Sequence, residues 1–173
     1  SAYVRPFSED ETVSLSKAIV AHGDSIKLDR HPIVDKHCIG GVPGNRTTMV
    51  VVPILAAAGL TVPKTSSRAI TSPAGTADTM ECFANVEFSL PELQRIVMKV
   101  GACMVWGGAV GLAPADDRII RVRYPLRLDP EAFLVASILA KKKSVGAEIV
   151  LIDIPVGPGA KVIDINQGKR VGY

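Results

Sequence analysis

The chain has 173 residues, 47% of them hydrophobic, which is enough to bury one substantial core and predicts a single domain. Its 20 lysine and arginine residues, against 17 aspartate and glutamate residues, are spread along the chain, so no nucleic-acid partner is expected. The longest apolar run, residues 49–60, falls short of the roughly 20 residues of a membrane-spanning helix. With no secretory signal either, we expect a cytoplasmic location and no membrane partner.

Three cysteines, Cys38, Cys82 and Cys103, are widely spaced and odd in number. They form no C-x-x-C pair, so neither a disulfide framework nor a metal site is predicted. The chain has no initiating Met and stops soon after a predicted strand, which indicates a piece of a longer, multi-domain protein. Residues 1–173 are predicted to form one domain of it.

The first half of the chain alternates predicted helices and strands. Ser8 and Glu11 form a capping-box pattern ahead of helically spaced apolar residues, which predicts a helix over residues 9–22. The other elements predicted here are strands at 33–34 and 61–65, a glycine-rich loop at 35–44, and helices at 47–58 and 76–82.

The second half continues the alternation. Ser89 and Glu92 form another capping-box pattern, and Asp129 before Pro130 is a strong helix start because both suit the unpaired first amides. Residues 107–117 are predicted to be a loop, with no path assigned to it. The other expected elements are helices that end near 100 and 143 and strands at 102–105 and 148–154. The pattern predicts an α/β fold, a mainly parallel sheet flanked by helices, with ligands beyond the carboxyl ends of its strands.

Residues 36–48 have the composition of a phosphate cradle. Glycines allow close backbone approach, the following helix offers free amides, and Lys36, Thr47 and Thr48 add a charge and two hydroxyls. The spacing is not that of a Walker A loop, so an ordinary strand-to-helix turn is the alternative. His37 is either a contact to a base or sugar, or a structural hydrogen-bonding residue. Cys38 has no acid–base partner nearby and is not predicted to be a nucleophile.

Polar residues farther along the chain have competing interpretations. The hydroxyl-rich run 65–76, with Arg68, offers donors to phosphate oxygens or simply caps the next helix. Ser137 and Lys141 share a helix face that could grip a base together with Arg123, whereas three consecutive lysines at 141–143 are typical of a solvated helix end. Two further residues have two interpretations each. Asp129 is either a helix cap or a catalytic residue, and Lys161 faces either a ligand or solvent.

Together these segments resemble the thymidine phosphorylase and pyrimidine-nucleoside phosphorylase family, and more closely its branch that includes AMP phosphorylases. The insertion at 43–46 and residues 69–72 favour that branch. The resemblance implies the large α/β domain of a homodimeric enzyme whose remaining domains complete the site. It covers residues 33–162 in order and spacing, through Asp35 to His37 with Gly40 and Gly41, Lys64 to Arg68 with Gly75 and Thr76, Leu112 to Asp116, Ala136 to Lys142, and Asp153 to Lys161.

The resemblance also implies site residues. The catalytic candidates are Asp129, in the position of a proton donor, and His37. The implied phosphate-binding residues are Lys36, Thr48, Ser66, Thr76 and Cys38, the last standing where the family has a serine. The implied nucleoside- or nucleotide-binding residues are Gly41, Ser67, Arg68, Ala69, Ile70, Thr71, Ser72, Arg123, Ser137, Lys141 and Lys161.

The implied reaction is phosphorolysis of an N-glycosidic bond, in which phosphate attacks the anomeric carbon and the departing base receives a proton. A pyrimidine nucleoside such as thymidine is the first expected substrate, and a nucleoside 5′-monophosphate such as AMP is the alternative. Phosphate is a co-substrate and no cofactor is expected. Two further alternatives are an anthranilate-type phosphoribosyltransferase, with Asp116 and Asp117 as magnesium ligands, and a non-catalytic anion-binding module.

Overall fold

A computed structural model describes residues 4–39, 46–69, 75–128 and 130–172. None of the helices within these ranges is both long and apolar enough to cross a membrane. The elements of the first half are α1 (Glu9–Ala21), β1 (Val34–Cys38), α2 (Thr47–Ala57), β2 (Val62–Ser66), α3 (Thr76–Glu81) and α4 (Leu90–Val100). Those of the second half are β3 (Ala102–Trp106), α5 (Gly107–Val110), α6 (Pro114–Leu126), α7 (Glu131–Ser144), β4 (Ile149–Asp153) and α8 (Ile165–Gly172).

The four strands of the described ranges form two parallel pairs, which a single parallel bridge between Ile33 and Thr61 joins in the order β4, β1, β2, β3. β1 pairs with β4, and β2 pairs with β3. The two pairs meet at their amino ends, where the Val34 amide donates to the Thr61 carbonyl at 2.8 Å and the Thr61 amide donates to the Pro32 carbonyl at 3.1 Å. The carboxyl ends of all four strands therefore lie along one edge, which confirms the predicted α/β fold.

Local sequence signals set the helix ends. At α1 both halves of the predicted capping box form, because Ser8 Oγ accepts from the Glu11 amide at 3.2 Å and Glu11 Oε2 accepts from the Ser8 amide at 2.9 Å. At α4, Glu92 accepts from the amide of Ser89 at 2.8 Å and from its hydroxyl at 2.6 Å. Gly101 then ends α4 with a φ of 87°, a left-handed conformation that glycine adopts without a Cβ clash.

Three apolar clusters hold the helices against the sheet and against each other. Leu93 and Val97 on the buried face of α4 belong to the cluster beneath β3. Val52 of α2 packs on β1 and β2. Ile19 joins α1 to α7 through Ala136 and neighbouring small residues. Side chains on two faces of α7 are removed from water, with Ala136 and Ala140 toward α1 and Lys142 bonded to Asp35 of β1.

Several predicted boundaries were wrong. β1 extends to Cys38 because it pairs with β4 along its whole length, so residues 35–38 are strand and not loop. α7 begins at Glu131 with Pro130 in the cap position, one residue later than predicted. The helices α5, α6 and α8 were not predicted, although α6 carries proline at its first position and Asp116 and Asp117 in its first turn, which are ordinary start signals.

Candidate active site

The carboxyl edge of the sheet carries most of the predicted polar residues. Lys36, His37 and Cys38 form the last residues of β1, and Ser66 ends the neighbouring β2. The ammonium of Lys36 is buried and lies 3.0 Å from Asp153 Oδ2 at the end of β4, as an ion pair without hydrogen-bond alignment. Lys36 is thus held at the edge by the strand beside it, with its donors available for a further anion.

Beneath this edge, two lysines share one buried carboxylate. The sheet cluster consists of Asp35, Lys64 and Lys142. Asp35 Oδ2 accepts from Lys142 Nζ, while Lys64 Nζ lies 4.0 Å from Asp35 Oδ1 and donates to the Thr65 carbonyl at 2.7 Å. Burial, followed by repulsion from Lys142, lowers the pKa of Lys64 to about 7 despite the opposing pull of Asp35. The cluster therefore carries surplus positive charge below neutral pH.

His37 faces these lysines. Its side chain is half-buried, and its Nδ1 is buried without a hydrogen-bond partner among the described residues. Burial lowers the pKa of His37 well below 6.5, and the ammonium groups of Lys64, Lys142, Lys141 and Lys36 lower it further. The imidazole is therefore neutral near pH 7, which suits a hydrogen-bonding group better than a proton donor.

A second buried group, the helix cluster, consists of Asp116, Ser137 and Lys141. Asp116 comes from the first turn of α6, and the other two lie one turn apart on α7. Asp116 Oδ2 accepts from Ser137 Oγ at 2.6 Å and from Lys141 Nζ, and Lys141 Nζ also donates to Ser137 Oγ at 2.9 Å. Ser137 and Lys141 thus share a face, as predicted, with a carboxylate that the spacing did not reveal.

The alternative interpretation of residues 141–143 as a solvated helix end was wrong for two of the three lysines. Lys141 and Lys142 are 5% and 3% exposed, and only Lys143 reaches solvent. The reason is that each buried ammonium has a carboxylate from another element, Asp116 for the first and Asp35 for the second. The buried lysines of α7 are therefore part of the site's electrostatics.

A cavity of about 130 Å³ opens where these elements meet. Burial raises the pKa of Asp117 in its wall, opposed by Lys141 and reinforced by Asp116. The wall combines predicted residues with Trp106 of β3 and Ile120 and Arg121 of α6, which were not predicted. Its lining residues are Ser66, Ser67, Arg68, Ala69, Trp106, Gly108, Asp117, Ile120, Arg121 and Lys141.

Arg68 is held on several sides. Its guanidinium donates to Glu81 at 2.6 and 2.8 Å, to Glu87 at 3.0 Å and to Asp78 at 3.3 Å. It also lies 4.7 Å from the centroid of the Trp106 ring, in cation–π distance. The ring lies against Gly108, where an added Cβ would come within 2.7 Å of it. Arg68 therefore presents an oriented cation whose charge is already largely balanced.

The remaining predicted residues are placed separately or lie outside the description. Thr48 is buried in the first turn of α2, and Thr76 is the first residue of α3. Arg123 is buried with its guanidinium 5.3 Å from the Phe133 ring centroid. Lys161 lines a different cavity, beside Arg127 and Glu131. The predicted residues that lie outside the described ranges are Gly41, Ile70, Thr71, Ser72 and Asp129.

Sequence reasoning missed Lys64, Lys142 and Trp106 as parts of the site, and it considered Asp116 only as a magnesium ligand in the phosphoribosyltransferase alternative. Lys64 had a weak indication in the sequence, because a lysine inside a strand of otherwise buried residues needs a partner for its charge. Within the described part of the chain, no three His, Cys, Asp or Glu side chains gather in a group able to hold a metal ion.

Comparison with known proteins identifies relatives along nearly the whole chain. An AMP phosphorylase of Methanosarcina barkeri is 53% identical over 171 residues, 99% of this chain and 34% of that protein. An AMP phosphorylase of Thermococcus kodakarensis is 58% identical over 162 residues, 94% of this chain and 32% of that protein. A Polaromonas protein named "Putative thymidine phosphorylase" is 61% identical over 164 residues, 95% of this chain and 32% of that protein. The chain spans about a third of the length of these relatives.

A solved structure and a family model agree with this placement. The crystal structure of anthranilate phosphoribosyltransferase from Thermus thermophilus matches with a TM-score of 0.72 and 22% identity, over 87% of this chain and 45% of that one, which shows a shared fold. The model described as "Glycosyl transferase family, a/b domain" matches residues 30–128, more than half of the chain. The predicted kinship with nucleoside phosphorylases is confirmed, and the chain belongs to this glycosyl transferase family.

Proposed function

We propose that the protein of which this chain is part catalyses phosphorolysis of the N-glycosidic bond of a nucleoside or nucleoside 5′-monophosphate. The observation that carries the proposal is the shared cavity, in which Ser66, expected to bind phosphate, and Lys141, expected to bind the base, line the same wall. The relatives named as phosphorylases support it independently. Inorganic phosphate is the co-substrate, and the proposed reaction uses no other cofactor.

In the proposed mechanism the strand ends hold and orient phosphate. Lys36 at the end of β1 and the hydroxyls of Ser66 and Ser67 supply donors, and the buried lysines add a positive field in a region shielded from water. A phosphate oxygen forms a bond to the anomeric carbon while the bond from that carbon to the base nitrogen breaks. The main contribution of the protein to the rate is the orientation of phosphate, since this displacement needs no covalent enzyme intermediate.

The departing base takes up the electron pair of the broken bond and must receive a proton. The depressed pKa of His37 leaves it neutral near pH 7, so it is a poor source of that proton. Between the two catalytic candidates we therefore propose Asp129 as the donor and His37 as a hydrogen-bonding neighbour. Ser137 and Lys141 are proposed to bind the base.

We propose a nucleoside 5′-monophosphate as the preferred substrate, with a pyrimidine nucleoside as the second candidate. Three cationic side chains line the cavity, and two of them, Arg68 and Lys141, already pair with carboxylates. The third, Arg121, is proposed to bind a phosphate on the sugar. Relatives bearing both names lie at similar identity, so the substrate must be chosen by experiment.

The deciding experiment incubates the full-length protein with thymidine, uridine, cytidine, adenosine, AMP and CMP, each with and without phosphate, and measures free base by chromatography. We expect phosphate-dependent release, faster from the nucleotides than from the nucleosides. Faster release from thymidine or uridine would select the pyrimidine-nucleoside candidate. Binding of phosphate without base release from any substrate would refute phosphorolysis in favour of an anion-binding module.

The phosphoribosyltransferase alternative makes a separate prediction. It would use Asp116 and Asp117 as magnesium ligands, but the Asp116 carboxylate already accepts from Ser137 and Lys141. A carboxylate bound by a buried ammonium is a poor ligand for a further cation. Base release that is unchanged by a magnesium chelator agrees with phosphorolysis, whereas strict magnesium dependence would favour the alternative.

A further inference from the structure

The helix cluster has a hydrogen-bond order that its members determine among themselves. A carboxylate can only accept, so the short contact between Asp116 Oδ2 and Ser137 Oγ uses the single hydroxyl proton of Ser137. The Ser137 oxygen in turn accepts from Lys141 Nζ at 2.9 Å. All three side chains are buried, so water does not exchange these bonds.

What remains for a ligand follows by counting protons. Ser137 has no proton left and one free lone pair, so it presents an acceptor. Lys141 has three protons, of which Asp116 and Ser137 take two, so it presents one donor to the cavity that it lines. An acceptor therefore stands beside a donor on one face of α7.

We infer that Asp116 is a positioning residue that sets this order, so that the site selects a base edge with a donor next to an acceptor. The inference rests on the proposed function, in which Ser137 and Lys141 bind the base. Uracil and thymine offer such an edge through a ring N–H beside a carbonyl, and adenine offers one through its amino group beside a ring nitrogen. Asp116 touches neither substrate nor reacting atoms in this scheme, and it acts through Ser137 and Lys141.

The order would change if the acceptor were removed. Both bonds to Asp116 end on Oδ2, so an Asn could place its amide oxygen there and keep the order, whereas Asp116→Ala leaves no acceptor. The hydroxyl proton of Ser137 is then free to point at the ligand, and Ser137 no longer requires a donor on the base.

The experiment uses the full-length protein, the active substrate from the panel, and its methylated analogue that lacks the donor: N3-methyluridine for uridine, or N6,N6-dimethyl-AMP for AMP. We expect the wild type to prefer the unmethylated substrate in kcat/KM by at least about 100-fold, because an unpaired buried acceptor is costly. In Asp116→Ala we expect this preference to fall by at least about tenfold, with KM for phosphate within about twofold. Asp29→Ala, at an exposed carboxylate, is the matched control and should keep the wild-type preference.

Two further measurements keep the inference testable. Ser137→Ala, which removes the acceptor, should lose the same preference even if Asp116→Ala folds poorly. Calorimetric binding of the methylated and unmethylated ligands gives the same ratio without turnover. An unchanged preference in Asp116→Ala or Ser137→Ala, whether in turnover or binding, would overturn the inference. If the wild type catalyses no phosphorolysis but still binds the unmethylated ligand more tightly, only the proposed function is refuted.

Discussion

The helix cluster and the sheet cluster are built from consecutive lysines of α7 but differ in charge balance. Lys141 meets one carboxylate and one hydroxyl, so the helix cluster is neutral and each of its three side chains is bonded to the other two. Lys142 shares Asp35 with Lys64, so the sheet cluster has one cation more than it has anions. Charge balance fixes the geometry of the helix cluster. The surplus positive charge of the sheet cluster favours binding of an anion at the strand ends but lowers the stability of the fold.

The largest expected effect separates the two clusters by removing one lysine from each. Lys141→Met leaves the buried Asp116 without a cation and should lower the free energy of unfolding by about 3–5 kcal/mol. Lys142→Met should cost less, about 1–2 kcal/mol, because Lys64 at 4.0 Å can take over the pairing with Asp35. Denaturant titration measures both, with exposed Lys143→Met as a control expected within about 0.5 kcal/mol of wild type. Equal losses for the two buried lysines would show that Lys64 does not compensate.

The next largest effect tests the excess positive charge of the sheet cluster by varying the pH. The pKa of Lys64 is about 7 in the folded protein and near 10.5 when unfolded, so between these values only the unfolded chain binds the proton. The destabilisation is complete below pH 7 and is relieved as pH rises, by at most about 1.4 kcal/mol per pH unit. Lys64→Met should therefore gain most over wild type near pH 6 and lose that advantage by pH 10.

The control for this titration is Lys17→Met, on the exposed face of α1, whose stability difference from wild type should not vary with pH. Denaturation midpoints at pH 6, 8 and 10 for the three proteins test the sign. A Lys64→Met difference that is constant over this range would show that Lys64 stays charged and that the imbalance is absent.

The smallest effect comes from a third ion-pair group, which is exposed. Glu87→Gln removes one 3.0 Å bond to Arg68 and should change stability by less than about 1 kcal/mol, because both side chains are partly solvated. Glu81→Gln weakens a two-bond contact at 2.6 and 2.8 Å and should cost more than Glu87→Gln while staying small. A loss above about 2 kcal/mol for Glu87 would mean that solvent does not screen the Arg68 network.

Local signals predicted the parts of the fold that depend on neighbouring residues. The capping boxes at Ser8 and Ser89 and the glycine end of α4 are readable because the partners lie within a few positions. The parallel sheet followed from the alternation of elements. The extent of β1 could not be predicted in this way. Its polar residues are typical of a loop, and only the pairing with β4 shows that they form a strand.

The buried charges could not be predicted because their partners are far away in sequence. Lys142 and Asp35 are 107 positions apart, and Lys141 and Asp116 are 25 apart. Without those partners a lysine run at a helix end is best interpreted as solvated. The placement of Ser66 and Lys141 in one cavity likewise depends on the tertiary structure, although the resemblance to known enzymes implied that both contact ligands.

The adjacency of Lys141 and Lys142 limits how this domain can vary in length. Consecutive helical residues point about 100° apart, so one lysine reaches α6 while the next reaches the sheet. A one-residue insertion or deletion within α7 upstream of Lys141 would turn both ammonium groups away from their carboxylates at once. Length changes in relatives are therefore expected outside α7, where the chain can absorb them without rotating this helix.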